Sequence, residues 1–377
     1  AYEVILAGAD ISTGECFYGV YTGDERYQCL YDELYRIMMP ELIILGKLSF
    51  QAELKEFIDL RMSACAFTVI DEPTKNIDDI IIQHFDINNR PVGRPASEAV
   101  ATLLAYLHET VRTDLSHISQ LTKLDFASNL VIDTYTLRNL EITRNLRDGG
   151  KKDTLLDVLD FTDTAMGTRL LKKWLEYPLL NIGKINQRLD AVEELVNDFV
   201  LRGELKEYGK RIYDFERLLT RIEVGTANAR DMVALRTSFS VLPQIKQLLA
   251  DTKATLLQKC HVNIHVYDDL VDLLNRAIVD NPGLTIRDGG IIKEGYNEEL
   301  DEYRKISRDS KQLLQSMEEQ EKEKTGIRAL KIGYNKVFGY YIEVRHSGTE
   351  LVPDYYVRKQ TLANAERYIT PDRKSVV

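Results

Sequence analysis

The sequence predicts a multidomain α+β protein with an α/β first domain, a large helical middle and a small β-rich end. Three observations predict it. Short β-rich runs flank a helical stretch over the first 95 residues, helical spacing dominates from Leu124 to Lys324, and strand-type alternation returns after Thr325-Gly326. A chain of 377 residues has room for two or three domains. Its 44% hydrophobic and 29% charged residues match globular usage, so packed cores are expected rather than disorder.

In the first domain VILAGADI, CFYGVYTG and ELIILG read as strands, Gly14 and Gly23 as turns, and Gln51 to Met62 as a helix between strand candidates. Arg90–Pro95 contains two prolines, each disfavouring helix at the residue before it, and is expected to end the sheet. Ser97 is the expected cap of a following helix, with Ala101, Leu104, Leu107 and Val111 on its apolar face, joining the first domain to the second.

The middle reads as helices through VIDTYTLRNLEI, TRLLKKWLEYPLL, INQRLDAVEELVNDFV and YDDLVDLLNRAIV, with breaks at Asp148-Gly149-Gly150, Pro178, Gly225 and Asn281-Pro282-Gly283. Thr154 and Asp157 have the spacing of a capping box. Tyr296 to Lys324 carries dense charge around sparse apolar positions, which predicts one helix of about 43 Å with a narrow packing stripe. Such a rod needs a partner helix. Beyond it LKIGYNKVFGYYIEVRH alternates as strands do, with Gly333 and Gly339 near its turns, and YYVRKQTLANAERYIT reads as a second extended or mixed unit. The expected domains are 1–125, 126–324 and 325–377.

No apolar run approaches the ~18 residues that span a bilayer, and AYEVILAGAD has no basic segment before its apolar run. Cys16, Cys29, Cys65 and Cys260 form no C-x-x-C pair, so neither a zinc knuckle nor a disulfide framework is indicated. A soluble chain in a reducing cytoplasm is expected. The net charge of −10 conceals an uneven distribution: residues 325–374 carry nine basic side chains against five acidic, on a remainder with 14 excess acidic groups.

That basic end supports two readings. It is either a grip on phosphate backbone, in which Lys and Arg displace counterions and Asn or Thr fixes register, or a small sheet with solubilising lysines. Tyr334, Phe338, Tyr340, Tyr341, Tyr355, Tyr356 and Tyr368 are better read as its core than as base-stacking platforms. Asp10 in GADISTGEC, with Glu15, Asp71, Glu72 or Asp86 as partners, suggests a metal-dependent nuclease. Asp-Ile-Ser-Thr-Gly also reads as a hairpin turn, which is the preferred assignment. Cys260-His261-x-x-x-His265 lacks a second ligand cluster, no G-x-S-x-G elbow occurs, and Gly149-Gly150-Lys151-Lys152 lacks phosphate-loop spacing. Neither catalytic residues nor a metal site is expected.

The stretches LLDVLDFTDTAMGTRLLKKWLEYPL (155–179), RIEVGTANARDMVAL (221–235), IRDGGIIKEGYNEELDEYR (286–304), LKIGYNKVFGYYIEV (330–344) and YYVRKQTLANAERYITP (355–371) resemble the MutS family of DNA mismatch-repair proteins. GADISTGEC and GRPASEAVATLLAYLHET extend the resemblance over essentially the whole chain. It implies a middle fragment: an RNase-H-like connector, a helical core with its outgoing lever, and a β clamp at the lever's tip. The family's Phe-x-Glu mismatch reader and its P-loop ATPase have no counterpart in this sequence, so no enzyme activity and no cofactor are expected here, ATP and magnesium belonging to the ATPase. The returning lever is also missing, and DRKSVV departs from the family's usual continuation after ITP.

The positions matching the family's DNA-facing segments are Lys331, Asn335, Lys336, Arg358, Lys359, Thr361 and Asn364, with Lys and Arg meeting phosphate charge and Asn and Thr donating to phosphate oxygens. The function implied is sequence-independent clamping of duplex DNA and coupling between the mismatch reader and the ATPase. The partners implied are duplex DNA, a MutL-type protein on the connector, and a second copy in the full-length homodimer, this fragment being monomeric. A recombination-type MutS relative is the alternative within the family, and the Asp10 nuclease the alternative outside it.

Overall fold

Strand β1 (Val4–Asp10) turns through Gly14, at φ 75°, into β2 (Glu15–Tyr21), in antiparallel register from Val4 opposite Tyr21 to Asp10 opposite Glu15. The computed structural model describes residues 3–112, 115–124, 128–335 and 339–370, without the side chains of 307, 310, 311, 313 and 335. The chain divides into two compact units, Ala1–Ile291 and Ile292–Val377.

In the first unit β2 is followed by α1 (Arg26–Ile37), β3 (Glu41–Leu45), α2 (Gln51–Arg61), β4 (Ala66–Ile70), α3 (Ile77–His84), α4 (Arg94–Val111) and β5 (Leu121–Lys123). β5 lies parallel beside β2, giving the order β1-β2-β5, and β3 and β4 form a separate parallel pair. Alternation along β2 sends Cys16 and Tyr18 into one core with Ile81, Phe85, Val100 and Leu104. Phe17 and Tyr21 go into a second core with Leu30, Leu34, Ile44, Leu54 and Ile58.

The sheet does not end at Arg90–Pro95, since β5 rejoins it from residue 121. A three-residue strand is too short to show periodicity. Ser97 is not the cap of α4: Gly93 is, at φ 93°, with Pro95 in the first turn, where a missing N–H costs nothing. Ser97 instead donates its hydroxyl to the Gly93 carbonyl at 3.3 Å. The helix expected to join two domains packs on α3 and β1, and its Ala96, Val100, Ala101 and Leu104 are among the most buried residues of the first domain.

The helical region follows with α5 (Thr134–Asn139), α6 (Leu155–Leu159), α7 (Ala165–Glu176), α8 (Ile182–Asn197), α9 (Phe199–Gly209), α10 (Phe215–Glu223), α11 (Ala229–Phe239), α12 (Leu242–Leu248), α13 (Thr255–Asn263) and α14 (Asp268–Ala277). All four expected breaks fall between helices. VIDTYTLRNLEI forms a helix only over α5, capped by Asp133. The Thr154 box is half made: Thr154 Oγ1 accepts from Asp157 N at 3.1 Å, but Asp157 turns its carboxylate to Asp153 N. Asn228 and Asp231 make a complete box at α11. The N-terminus of α13 is satisfied from a distance, since Glu194 accepts from the backbone of Lys253 at 2.8 Å and Ala254 at 2.6 Å.

The second unit is built on α15 (Glu298–Thr325), capped by Asn297 and closed by Gly326 in the left-handed region, within two residues of the sequence expectation at each end. Tyr303 and Ile306 on its stripe are exposed. β6 (Lys331–Asn335), β7 (Gly339–Arg345), β8 (Val357–Thr361) and β9 (Ala365–Ile369) follow as an antiparallel sheet of order β6-β7-β9-β8. Gly333 marks no turn. It lies inside β6 beneath the Tyr341 ring, where an added Cβ would come within 2.8 Å of ring atoms.

Candidate nucleic-acid interface

Alternation decides what each face of this sheet presents. Ile332, Ile342, Val344 and Tyr368 point inward with Ile327, Leu330 and Tyr356 to make its core. Lys331, Tyr341, Glu343, Arg345 and Arg367 therefore share the other face. There the Arg367 guanidinium lies 4.4 Å over the Tyr341 ring, pairs with Glu343 at 2.9 Å and donates to Gln360 at 3.1 Å. The aromatics expected as core divide: Tyr356 and Tyr368 are buried, whereas Tyr334 and Tyr355 are exposed.

Lys331, Arg358, Lys359, Thr361 and Asn364 are all exposed. Lys336 and Phe338 lie outside the described residues, and Asn335 is placed by its backbone at the end of β6, opposite Gly339. The sheet order puts β6 and β8 on opposite edges, about 14 Å apart at three strand spacings. The Asn335–Gly339 pair and the β8–β9 turn are at opposite ends of the sheet, so Asn335 and Asn364 are diagonal to one another. The candidates thus form two groups, Lys331 with Asn335 and Arg358 to Asn364, rather than one cluster.

Arg358 is committed to an ion pair with Glu366 at 3.2 Å, and Tyr368 donates to the same carboxylate. The Tyr368 bond, with Arg358 beside it, holds the Glu366 carboxyl below its usual range. Burial, reinforced by Glu366, pushes Tyr368 up to about 12. Lys359 sits where the β8–β9 register shifts, between Arg358 and Gln360, so it has no cross-strand partner residue. The β8–β9 turn is held by His346, whose backbone N–H donates to the Asn364 carbonyl at 3.4 Å and whose Nε2 lies 3.2 Å from the Leu362 carbonyl. Sequence reasoning passed over Arg345 and Arg367, although alternation through AERYI places Arg367 opposite in face to Tyr368. The arrangement presents exposed Lys331, Arg358, Lys359 and Thr361 on strands and Asn364 in the turn between β8 and β9, a set of cations and neutral donors that suits a phosphate backbone.

Asp10 serves the turn: its Oδ1 accepts from Ser12 N at 2.8 Å and from Ser12 Oγ at 2.7 Å. Among the described residues no group of three or more His, Cys, Asp or Glu side chains is placed to hold a metal ion, and Glu15, opposite Asp10 in the hairpin, pairs with Lys173 at 3.3 Å. His261 lies in α13 with Nδ1 2.8 Å from the Lys246 carbonyl.

Two family models match the chain: MutS domain II over residues 2–119 and MutS domain III over residues 135–338. Proteins named "DNA mismatch repair protein MutS" are similar along almost its full length. That of Desulforamulus reducens is 42% identical over 98% of this chain and 43% of its own. That of Ruminiclostridium cellulolyticum is 41% identical over 98% and 43%, and that of Pelotomaculum thermopropionicum 43% identical over 98% and 44%. The chain spans less than half the length of these relatives. With the domain III match alone covering more than half of its residues, the chain belongs to the MutS family.

Proposed function

We propose that this chain is the DNA-clamping and signal-transmitting part of a mismatch-repair protein. Residues 1–125 act as an RNase-H-like connector, 126–324 as helical core and lever, and 325–377 as the clamp. The observation that carries the reading is the union of a long helix with a basic sheet. Glu318 near the end of α15 accepts from Ile332 N on β6 at 3.2 Å, so whatever moves the helix moves the cationic edges with it. The Glu318 carboxyl, held below its usual range by its bond to Lys322 and then by Ile332, stays charged to keep that tie.

In this reading Lys331, Lys336, Arg358 and Lys359 meet phosphate charge, and Asn335, Thr361 and Asn364 donate to phosphate oxygens without reading sequence. A MutL-type protein on the connector, a second MutS copy, and ATP with magnesium are partners of the whole protein, whose remaining length lies outside this chain. No helix of the described residues is long and apolar enough to cross a membrane. In this reading the place of action is the bacterial cytosol, as for a bacterial DNA-repair protein.

Fluorescence anisotropy with matched and singly mismatched duplexes across a salt series tests the proposal. Weak, equal binding with a log–log slope of roughly −3 is expected of a backbone grip without a reader. A clear preference for the mismatch would place the discriminating contact inside this chain and refute the division of labour. Absence of binding at low salt would refute the preformed grip.

A further inference from the structure

A surface helix needs one apolar stripe, the one that faces its own core. α8 carries two. On one side Ala191 and Leu195 pack with Leu249 and Leu257 of the helical region. On another side Ile182, Leu189, Val192 and Val196 stand 72%, 58%, 55% and 60% exposed, with Ile185 half-buried in the same row. These five positions step by three, four, three and four residues, which confines them to an arc of about 80° along about 21 Å of helix. That is the spacing of a seam between two helices, and a solvated face gives no reason for it.

The flanks of the arc say what fits there. Arg188 lies on one flank and Glu193 on the other, at the g and e positions of a heptad in which Ile182, Leu189 and Val196 are a. Among the described residues neither forms an ion pair within the chain. Arg188 instead lies 3.6 Å over the ring of Trp174, the chain's single tryptophan, and burial there holds its guanidinium below the usual range. When two copies of such a helix pair in parallel about a twofold axis, a g residue of one meets the e residue five positions further along the other. Arg188 to Glu193 is that step, so a single pairing forms two ion pairs and covers both aliphatic arcs. Antiparallel pairing sets like flank beside like, arginine beside arginine, and gains neither ion pair.

We propose that the outward face of α8 is a self-association surface, on which a second copy of this chain seats its own α8 in parallel. The chain is then a reversible dimer rather than the monomer expected from the resemblance. With five side chains from each copy the contact is small, so dissociation falls on the order of micromolar concentrations. A helix from the whole protein's remaining length is the other occupant that the seam would fit, and it leaves this chain monomeric. The proposal does not depend on the DNA-binding reading.

Sedimentation equilibrium of the 377-residue chain from about 1 to about 200 µM tests it, with Trp174 fluorescence as a local report. The wild type should pass from monomer to dimer across that range, and Trp174 emission should change with it. Val192→Asp, which sets two carboxylates into the seam, should weaken association by at least about a hundredfold. Ile87→Ser, which removes a 76% exposed aliphatic side chain from the first domain, should leave it unchanged. Arg188→Glu and Glu193→Arg should each weaken it about tenfold by setting like charges together, and the double swap should restore it to within about threefold of wild type. A monomer throughout the range would overturn the proposal. So would a dimer indifferent to Val192→Asp, one equally sensitive to Ile87→Ser, or a double swap no better than the single ones. Should Val192→Asp lose its fold, which far-UV circular dichroism would show, the charge cycle still decides the matter.

Discussion

Tyr356 donates its hydroxyl to Glu321 at 2.6 Å, joining a core residue of the sheet to the penultimate turn of α15. Burial, with Glu321 beside it, pushes the Tyr356 phenol above its usual range, so the proton stays on Tyr356 as donor. Three residues back along the helix Glu318 holds the backbone of β6. Helix and sheet are thus fastened at two successive points, and the second unit responds to a push as one piece.

Tyr356→Phe should cost about 1–2 kcal/mol, since the mostly buried Glu321 carboxylate loses a hydrogen bond to a residue of the core. Urea unfolding followed by tyrosine near-UV circular dichroism measures the loss. An unchanged midpoint would show that the junction rests on apolar packing alone.

Lys359 and Arg358 should separate in DNA binding. Lys359→Ala, at a bulge, should reduce the salt slope by about one phosphate contact, roughly 0.9 in the log–log plot. Arg358→Ala should change it less, because Glu366 already engages that guanidinium, and Glu366→Gln should strengthen binding. The anisotropy series of the three variants provides the comparison.

Gly333→Ala should be destabilising by about 1–3 kcal/mol, since the new methyl meets the Tyr341 ring on which Arg367 lies. Chemical denaturation gives the loss. A neutral result would mean that the ring swings away, and the ring-current shifts on Arg367 would then vanish.

The Asp160 carboxyl is held down to about 2 from an ordinary 3.8, first by its bond to Lys151 and then by Thr162. Its folded value lies below its unfolded one, so its stabilisation is fully present above about pH 4 and is lost as pH falls toward 2. Melting temperatures of wild type and Asp160→Asn should therefore differ at neutral pH and converge near pH 2. A constant difference down to pH 2 would contradict the assignment.

Ser97→Ala should change stability by less than about 0.5 kcal/mol, because Gly93 occupies the cap position. A loss near 1 kcal/mol, typical of a true cap, would reverse that conclusion.

What was legible in the sequence follows from how local each signal is. α15 could be placed because charge, spacing and Gly326 all lie within the segment, and the β6–β9 strands because their alternation does. β5 escaped because a three-residue strand shows itself only through distant partners, Cys16 to Tyr18, and the cap of α4 because Gly93 has no side chain to signal a capping bond, whereas Ser97 offers a hydroxyl of the usual capping type. The candidate cations were legible as a segment but not as a surface. Sheet order, which puts β6 and β8 on opposite edges, is set by pairings that no window of sequence contains. The charged face of α1 was missed for the same reason, since Asp32, Glu33 and Arg36 resemble a solvated turn until Thr134 and Tyr177 are brought against them.

The return of β5 to β2 also sets an order of events for the newly made chain. Cys16 meets Leu121 across more than one hundred intervening residues. The first hairpin can form within moments of synthesis, but its sheet waits for a strand that emerges several seconds later at ordinary translation rates. Until then one edge of β2 stays open, and a ribosome pausing before residue 121 would prolong the interval in which a neighbouring nascent chain could pair there instead.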